Sequence, residues 1–261
     1  MMSDRVPPGI RASVPNVARM YDYYLGGKDN FAADRDAAEK VLAIIPEIRG
    51  DARNSRAFLQ RAVRHLTQAG VDQFLDIGSG LPTAGHVHEV IDGAKVVYVD
   101  NDPVVLTHSR ALLGRSPGVT VQEGDLRRPE DVMAHAADVL DLSRPIALLV
   151  VSLLHFVTDG EDPAGIVHRY RDLLPAGSYI VLTHVAPDTM PNKADDVSAV
   201  YRNATSPFTP RRRAEFETFL DGFEILEPGI VNTREWRPDP TTDTSRISGD
   251  YHLCAVGHKH P

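Results

Sequence analysis

Seven short apolar runs separated by stretches of helical periodicity restrict this chain to folds built from βα units. The runs are 73–77 (QFLDI), 95–99 (KVVYV), 119–122 (VTVQ), 146–152 (IALLVVS), 178–183 (SYIVLT), 223–226 (FEIL) and 251–257 (YHLCAVG). Asp102 and Pro103 open one intervening helix, on which Val105, Ser109 and Leu112 share a face. Asp162 and Pro163 open another, carrying Ile166, Tyr170 and Leu173. In both, an Asp caps the first turn and Pro occupies a position whose N–H would have no partner. A third helix is expected from Thr209 and Pro210, with Phe216, Phe219 and Leu220 apolar and a stop at Gly222. The pattern predicts an α/β fold with a doubly wound, mostly parallel sheet of seven strands.

About seventy residues without a strand signal precede the first run. Phe58, Leu59, Ala62, Val63 and Leu66 form one helical face there, ending at Gly70. We read 1–70 as a helical extension and 71–261 as the core of a single domain. Open parallel sheets bind ligands beyond the C-terminal ends of their strands, so the extension is placed to cover that crevice.

Composition removes several classes of function. A formal charge of −8 opposes wrapping a nucleic-acid backbone, which needs Lys and Arg to displace counterions. The single cysteine, Cys254, excludes an intramolecular disulfide and any paired-thiolate metal site. No stretch approaches the ~20 apolar residues of a membrane span, and MMSDRVPPGIRAS lacks the apolar centre of a secretory signal, so the cytoplasm is the expected compartment.

The chemistry concentrates in FLDIGSGLPT, residues 74–83, where a strand ends at Asp76 and Ile77 and runs into Gly78, Ser79 and Gly80. The two glycines let backbone approach a ligand closely. A helix is expected to follow, with Pro82 in its first turn and Val87, Val90 and Ile91 on its core face. Asp100 ends the second strand twenty positions after Gly80, where a carboxylate can accept hydrogen bonds from both hydroxyls of a ribose. Nicotinamide-dependent enzymes share that spacing, but here Leu81, Pro82 and Thr83 follow Gly80 and the third glycine of the dinucleotide fingerprint is missing. The third strand runs into EGDLRRP, placing Asp125 and Leu126 where a carboxylate could meet an adenine amino group and an apolar side chain its ring, with a turn residue or helix cap the alternative for Asp125.

With Asp76, Gly78, Gly80, Asp100 and Asp125 in these positions, the chain resembles the class I S-adenosylmethionine methyltransferases. The resemblance implies a Rossmann-like sheet whose seventh strand inserts antiparallel beside the fifth. ARMYDYYLGGKDNFAADR (18–35), RNSRAFLQRAVRHL, VVYVDNDPVVL and LLHFV narrow it to the bacterial S-adenosyl methyltransferase family formerly catalogued as a domain of unknown function. It implies S-adenosylmethionine as donor and S-adenosylhomocysteine as product. The donor set expected is Asp76, Gly78, Gly80, Asp100, Asn101, Asp125, Leu126, Ser152, Tyr21 and Lys28.

Methyl transfer from a sulfonium is an in-line displacement, which needs alignment and exclusion of water but no metal. A base is required only if the accepting atom must lose a proton. His155, in SLLHFV at the mouth of the fourth strand, is the first candidate, and a positioning role is the bland alternative. His184 after the fifth strand is the second, and Tyr24 completes the catalytic set. Tyr21 and Tyr24 lie three apart and either face the sulfonium or pack the extension. Arg19 and Lys28 either meet the donor carboxylate or are solvated, as are Arg53 and Arg56. Arg211, Arg212 and Arg213 read as a solvated face, and Trp236 as a pocket wall or core residue. The expected reaction is O- or N-methylation of a small molecule, with nucleic acid disfavoured as a partner, no membrane partner expected and the oligomeric state open. A nicotinamide-dependent oxidoreductase and a donor-binding sensor without turnover stand as alternatives.

Overall fold

Phe74, Val96, Tyr98, Ala147 and Leu149 face one side of a sheet, and Leu75, Ile77, Val97, Val99 and Leu148 face the other. Both sides are apolar because both are covered, as a doubly wound parallel sheet requires. The computed structural model describes residues 11–82, 85–114, 116–190, 192–240 and 250–260; Thr83 of the glycine segment lies outside them.

The chain runs α1 (Val17–Leu25), α2 (Ala32–Ile44), α3 (Ile48–Gln68), β1 (Gln73–Ile77), α4 (Val87–Val90), β2 (Lys95–Asp100), α5 (Pro103–Leu113) and β3 (Val119–Glu123). It continues through α6 (Pro129–Ala136), β4 (Ala147–Val150), α7 (Pro163–Leu173), β5 (Tyr179–Val185), α8 (Ala194–Tyr201), α9 (Arg213–Thr218), β6 (Glu224–Ile225), β7 (Val231–Asn232) and β8 (His252–His258). The sheet order is β3-β2-β1-β4-β5-β8-β6, with β7 also paired to β8. β1 to β5 are parallel and β8 runs antiparallel to β5, as the sequence predicts. Chain order reverses between β1 and β4, which opens the crevice at their C-terminal ends.

Helices α3, α4 and α5 supply Phe58, Val87 and Leu113 to one apolar layer, and α6, α7 and α9 supply Val132, Ile166 and Phe216 to the other. A third cluster joins α1, α2 and α8 through Met20, Val41, Ile45 and Val197, so the N-terminal helices are anchored to the core by their own buried face.

Four expectations change. The sixth strand, expected over 223–226, shortens to β6. Pro228, which has no N–H to donate, and Gly229 at φ +89° break the run, and after them an unexpected stub, β7, also pairs with β8, so the sheet has eight strands among the described residues rather than seven. The helix after the glycine segment is one turn, α4, with Pro82 left in the loop and Ile91 extended. Leu113 replaces Leu112 on the buried face of α5, since it completes the i, i+4, i+8 row from Val105 and Ser109; Leu112 is 61% exposed. α9 begins at Arg213 rather than near Thr209. Among the described residues no helix is long and apolar enough to cross a membrane.

Candidate functional site

The crevice floor is made by three strand ends. After β1 the chain turns through Gly78 and Gly80 at φ +69° and +68°, a region open to glycine and strained for other residues. Gly78 also has no room: a Cβ there would lie 2.7 Å from the Leu153 methyls. Asp100 at the end of β2 ties this turn down, its two oxygens accepting the Gly80 N–H at 3.0 Å and the Asp102 N–H at 2.9 Å. Asp102 in turn caps α5 through the Val104 N–H and accepts from the Asn16 side chain. After β3, Asp125 is met by Arg127 at 3.1 Å and by the Asn101 amide at 3.5 Å, beside buried Leu126.

The roof comes from the extension. Asn16, Val17 and Tyr21 of the α1 segment and Arg56 and Leu59 of α3 line the same crevice, which holds about 1040 Å³ including its open mouth. The Tyr21 hydroxyl donates to the Ala52 carbonyl at 3.1 Å, and the Arg56 guanidinium lies 5.6 Å from the Tyr21 ring. Arg56 Nε and Ser79 Oγ are buried here without a hydrogen-bond partner among the described residues. Buried polar atoms are seldom left so, and their placement on a concave wall fits them to a ligand's polar groups.

Burial pushes the Asp76 carboxyl up to about 7, with Arg56 opposing and Asp100 adding to the rise. Burial likewise pushes Asp100 up to about 6, against the backbone N–H groups of Asp102 and Gly80. Two carboxyls strained toward neutrality in one crevice suit a ligand that brings positive charge and hydroxyl donors.

Of the residues expected at the donor, Asp76, Gly78, Gly80, Asp100, Asn101, Asp125, Leu126, Ser152 and Tyr21 are brought together on this crevice. Lys28 is not among them and is exposed on the turn after α1. The LGGKDN segment around it makes a turn: Gly26 is left-handed, and a Cβ on Gly27 would collide with the Asp22 carboxylate, which accepts the Asp29 N–H. Arg19 is committed to buried Asp34 at 2.7 Å. Trp236 is fully buried against Phe58 at 5.5 Å, away from the crevice.

The two histidines differ. His184 is buried with both nitrogens engaged, Arg211 donating to Nε2 at 3.2 Å and Nδ1 lying 2.8 Å from the Val185 carbonyl. An arginine can only donate, so Nε2 is the acceptor and Nδ1 carries the proton. Burial pushes its pKa down to about 3. Arg211 is therefore an interior residue, also bridging to Asp159 and the Leu154 and Val157 carbonyls, and not part of a solvated face. His155 lines a second cavity with Tyr24, next to the first, and burial holds it well below its ordinary pKa. Asn16, Arg127, Phe156 and Thr205 line the crevice without having been singled out. Asn16 also caps α1, its side-chain oxygen accepting from the Arg19 N–H at 3.1 Å.

The profile of the family described as S-adenosyl methyltransferase matches residues 3–260. A DUF574 family protein from Streptomyces avermitilis MA-4680 is 38% identical, with 95% of this chain and all of that one covered and a TM-score of 0.88. A candidate methyltransferase from Thermobifida fusca YX is 40% identical over 99% of this chain and all of that one, with a TM-score of 0.90. Human N-acetylserotonin methyltransferase in complex with SAM shares the fold at 16% identity and a TM-score of 0.53, covering 95% of this chain and 63% of that one. No curated protein matches the sequence.

Proposed function

Since the chain belongs to the S-adenosyl methyltransferase family, and is by that membership an enzyme whose methyl donor is S-adenosylmethionine, we propose that the donor lies in the crevice above β1 to β4 and that the acceptor is a small molecule. The observation that carries the placement is the pair of buried carboxyls, Asp76 and Asp100, lining one cavity together with the unpartnered Arg56 Nε and Ser79 Oγ. When bound, the donor supplies an activated methyl group.

The chain's own groups then divide the work of holding it. Asp100 offers its remaining lone pairs to ribose hydroxyls, while Asp125 and Leu126 take the adenine edge and face. Asp76 meets the donor's ammonium and Arg56 its carboxylate, a pairing that relieves both buried groups. The backbone at Gly78 and Gly80 lets the chain pass close, and Tyr21 with Val17 closes the site from above and excludes water. Transfer to oxygen or nitrogen is the reaction class proposed. The nicotinamide alternative gives way to the family membership.

Titration calorimetry with S-adenosylmethionine, S-adenosylhomocysteine and NAD tests the placement. Binding of the first two and not the third, lost in Asp100→Ala, is expected. Retained binding in that variant overturns the assigned site.

A further inference from the structure

A second cavity of about 520 Å³ adjoins the crevice and shares Val17, Tyr21, Ser152 and Phe156 with it. Its walls are apolar and flat: Tyr201 stacks on Phe208 with centroids 5.2 Å apart, Phe156 packs against both, and Met190 and Val197 close the far side. Its polar groups are Ser152, His155, His252 and Asp51, with the hydroxyls of Tyr24 and Tyr201 paired to each other at 3.2 Å. No Lys or Arg is among the described residues that line it, so an anionic acceptor would be buried there without a countercharge from them.

The polar groups are arranged in order. Asp51 of α3 accepts from the Tyr251 N–H at 2.8 Å through one oxygen and lies 2.8 Å from His252 Nδ1 through the other. With its proton held on Nδ1, His252 presents Nε2 as an acceptor, 3.3 Å from Ser152 Oγ. Ser152 sits at φ +55°, outside the usual range for a serine. Its N–H to Thr183 Oγ1 at 2.8 Å and its hydroxyl contact with Ser55 at 2.8 Å hold it there, on the wall common to both cavities. His155 stands edge-on to His252 at 5.6 Å with Nδ1 unpartnered.

Resting on the donor placement above, we propose that this cavity is the acceptor site, that it takes a flat apolar molecule carrying a phenolic or enolic hydroxyl, and that His252 Nε2, positioned by Asp51, is the base. The acceptor O–H bond breaks, its proton passes to Nε2 and its electron pair stays on oxygen. That oxygen forms the new C–O bond as the C–S bond breaks, with the electrons of that bond remaining on sulfur. His252 then returns the proton to water.

The groups facing His252 suit this role. Asp51 and Asp250 raise its pKa above the ordinary value against the effect of burial, while His155 beside it is held neutral. His252 is thus the more basic of the two imidazoles.

The test uses para-nitrophenol, whose visible absorbance reports its phenolate, with S-adenosylhomocysteine titrated separately into each protein. Saturable one-to-one binding is expected, with more phenolate than free ligand shows at the same pH. Val197→Trp should weaken para-nitrophenol by about tenfold or more while leaving S-adenosylhomocysteine bound; Val197→Phe replaces it if that variant loses the latter. His252→Gln should keep binding within about tenfold, the cost of one hydrogen bond, and lose the extra phenolate. No saturable binding, tighter binding of para-nitrobenzoate or benzylamine, or a phenolate band unchanged in His252→Gln would each overturn the proposal. Failure of wild-type protein to bind S-adenosylhomocysteine would instead sink the donor placement.

Discussion

Asp76 offers the sharpest test of the donor site because its charge is both costly and needed. Burial pushes its carboxyl up to about 7 from the usual 3.8, so ionising it in the fold costs about 4 kcal/mol more than in water. The sign follows: a raised carboxyl pKa leaves the fold most stable in acid, and that stability is lost as pH rises through about 7. A ligand whose ammonium sits on Asp76 needs the ionised form and reverses the penalty. Apparent affinity for S-adenosylhomocysteine should therefore strengthen by about tenfold through Asp76, and by about twofold more through Asp100, between about pH 6 and about pH 8. Binding at about pH 7 should release about half a proton from Asp76 and about a tenth from Asp100, whose carboxyl stands at about 6. Calorimetry in two buffers of different ionisation heat reads that number directly. In Asp76→Asn the released half proton should disappear, leaving the small contribution of Asp100. A flat affinity profile, or a full half proton in the variant, refutes the assignment.

Gly78→Ala meets both a positive φ and the Leu153 methyls at 2.7 Å; a loss of about 1–3 kcal/mol is expected in urea melts, and adding Leu153→Ala should restore only the steric share. Arg19→Met removes the countercharge of fully buried Asp34 and leaves it only the Asn16 and Phe31 N–H donors, which should cost about 3–5 kcal/mol by the same measurement. Phe58→Ala removes a fully buried ring from the layer beneath α3 and from its edge contact with Trp236, a change of about 3–5 kcal/mol in denaturant midpoint analysis. Asp125→Ala, on a partly exposed carboxylate, should leave the melt unchanged within about 0.5 kcal/mol and weaken S-adenosylhomocysteine by about tenfold in titration.

Local chemistry made the floor of the crevice legible. Gly78, Gly80, Asp100 and Asp125 occupy strand ends, and a parallel sheet brings successive strand ends together whatever the details of the loops. The roof was less legible. Arg56 stood open between ligand contact and solvated charge, and Arg211 read as solvated, because helical spacing tells which residues share a face and not which face meets the sheet. Lys28 shows the converse: its neighbours form a conspicuous motif, yet Gly26, Gly27 and Asp22 serve a turn. His252 escaped notice inside an apolar run, since nothing near it in sequence announces Asp51. Two halves of one functional contact carry no common signal when they lie on different elements.

That separation has a consequence for how the protein comes into being. Asp51 meets the backbone of Tyr251 and the ring of His252 across 200 and 201 positions, so the contact joins the third helix to the start of the last strand. Closing so long a loop carries an entropic cost that local contacts do not, and non-local contacts of this kind slow folding. On the ribosome, a chain that has already formed β1 to β5 and its glycine turn still lacks β8, and with it the His252 that Asp51 holds in place. On the acceptor site proposed above, methyl transfer has to wait for β8, because the wall of the second cavity that carries His252 forms only when that strand docks beside β5.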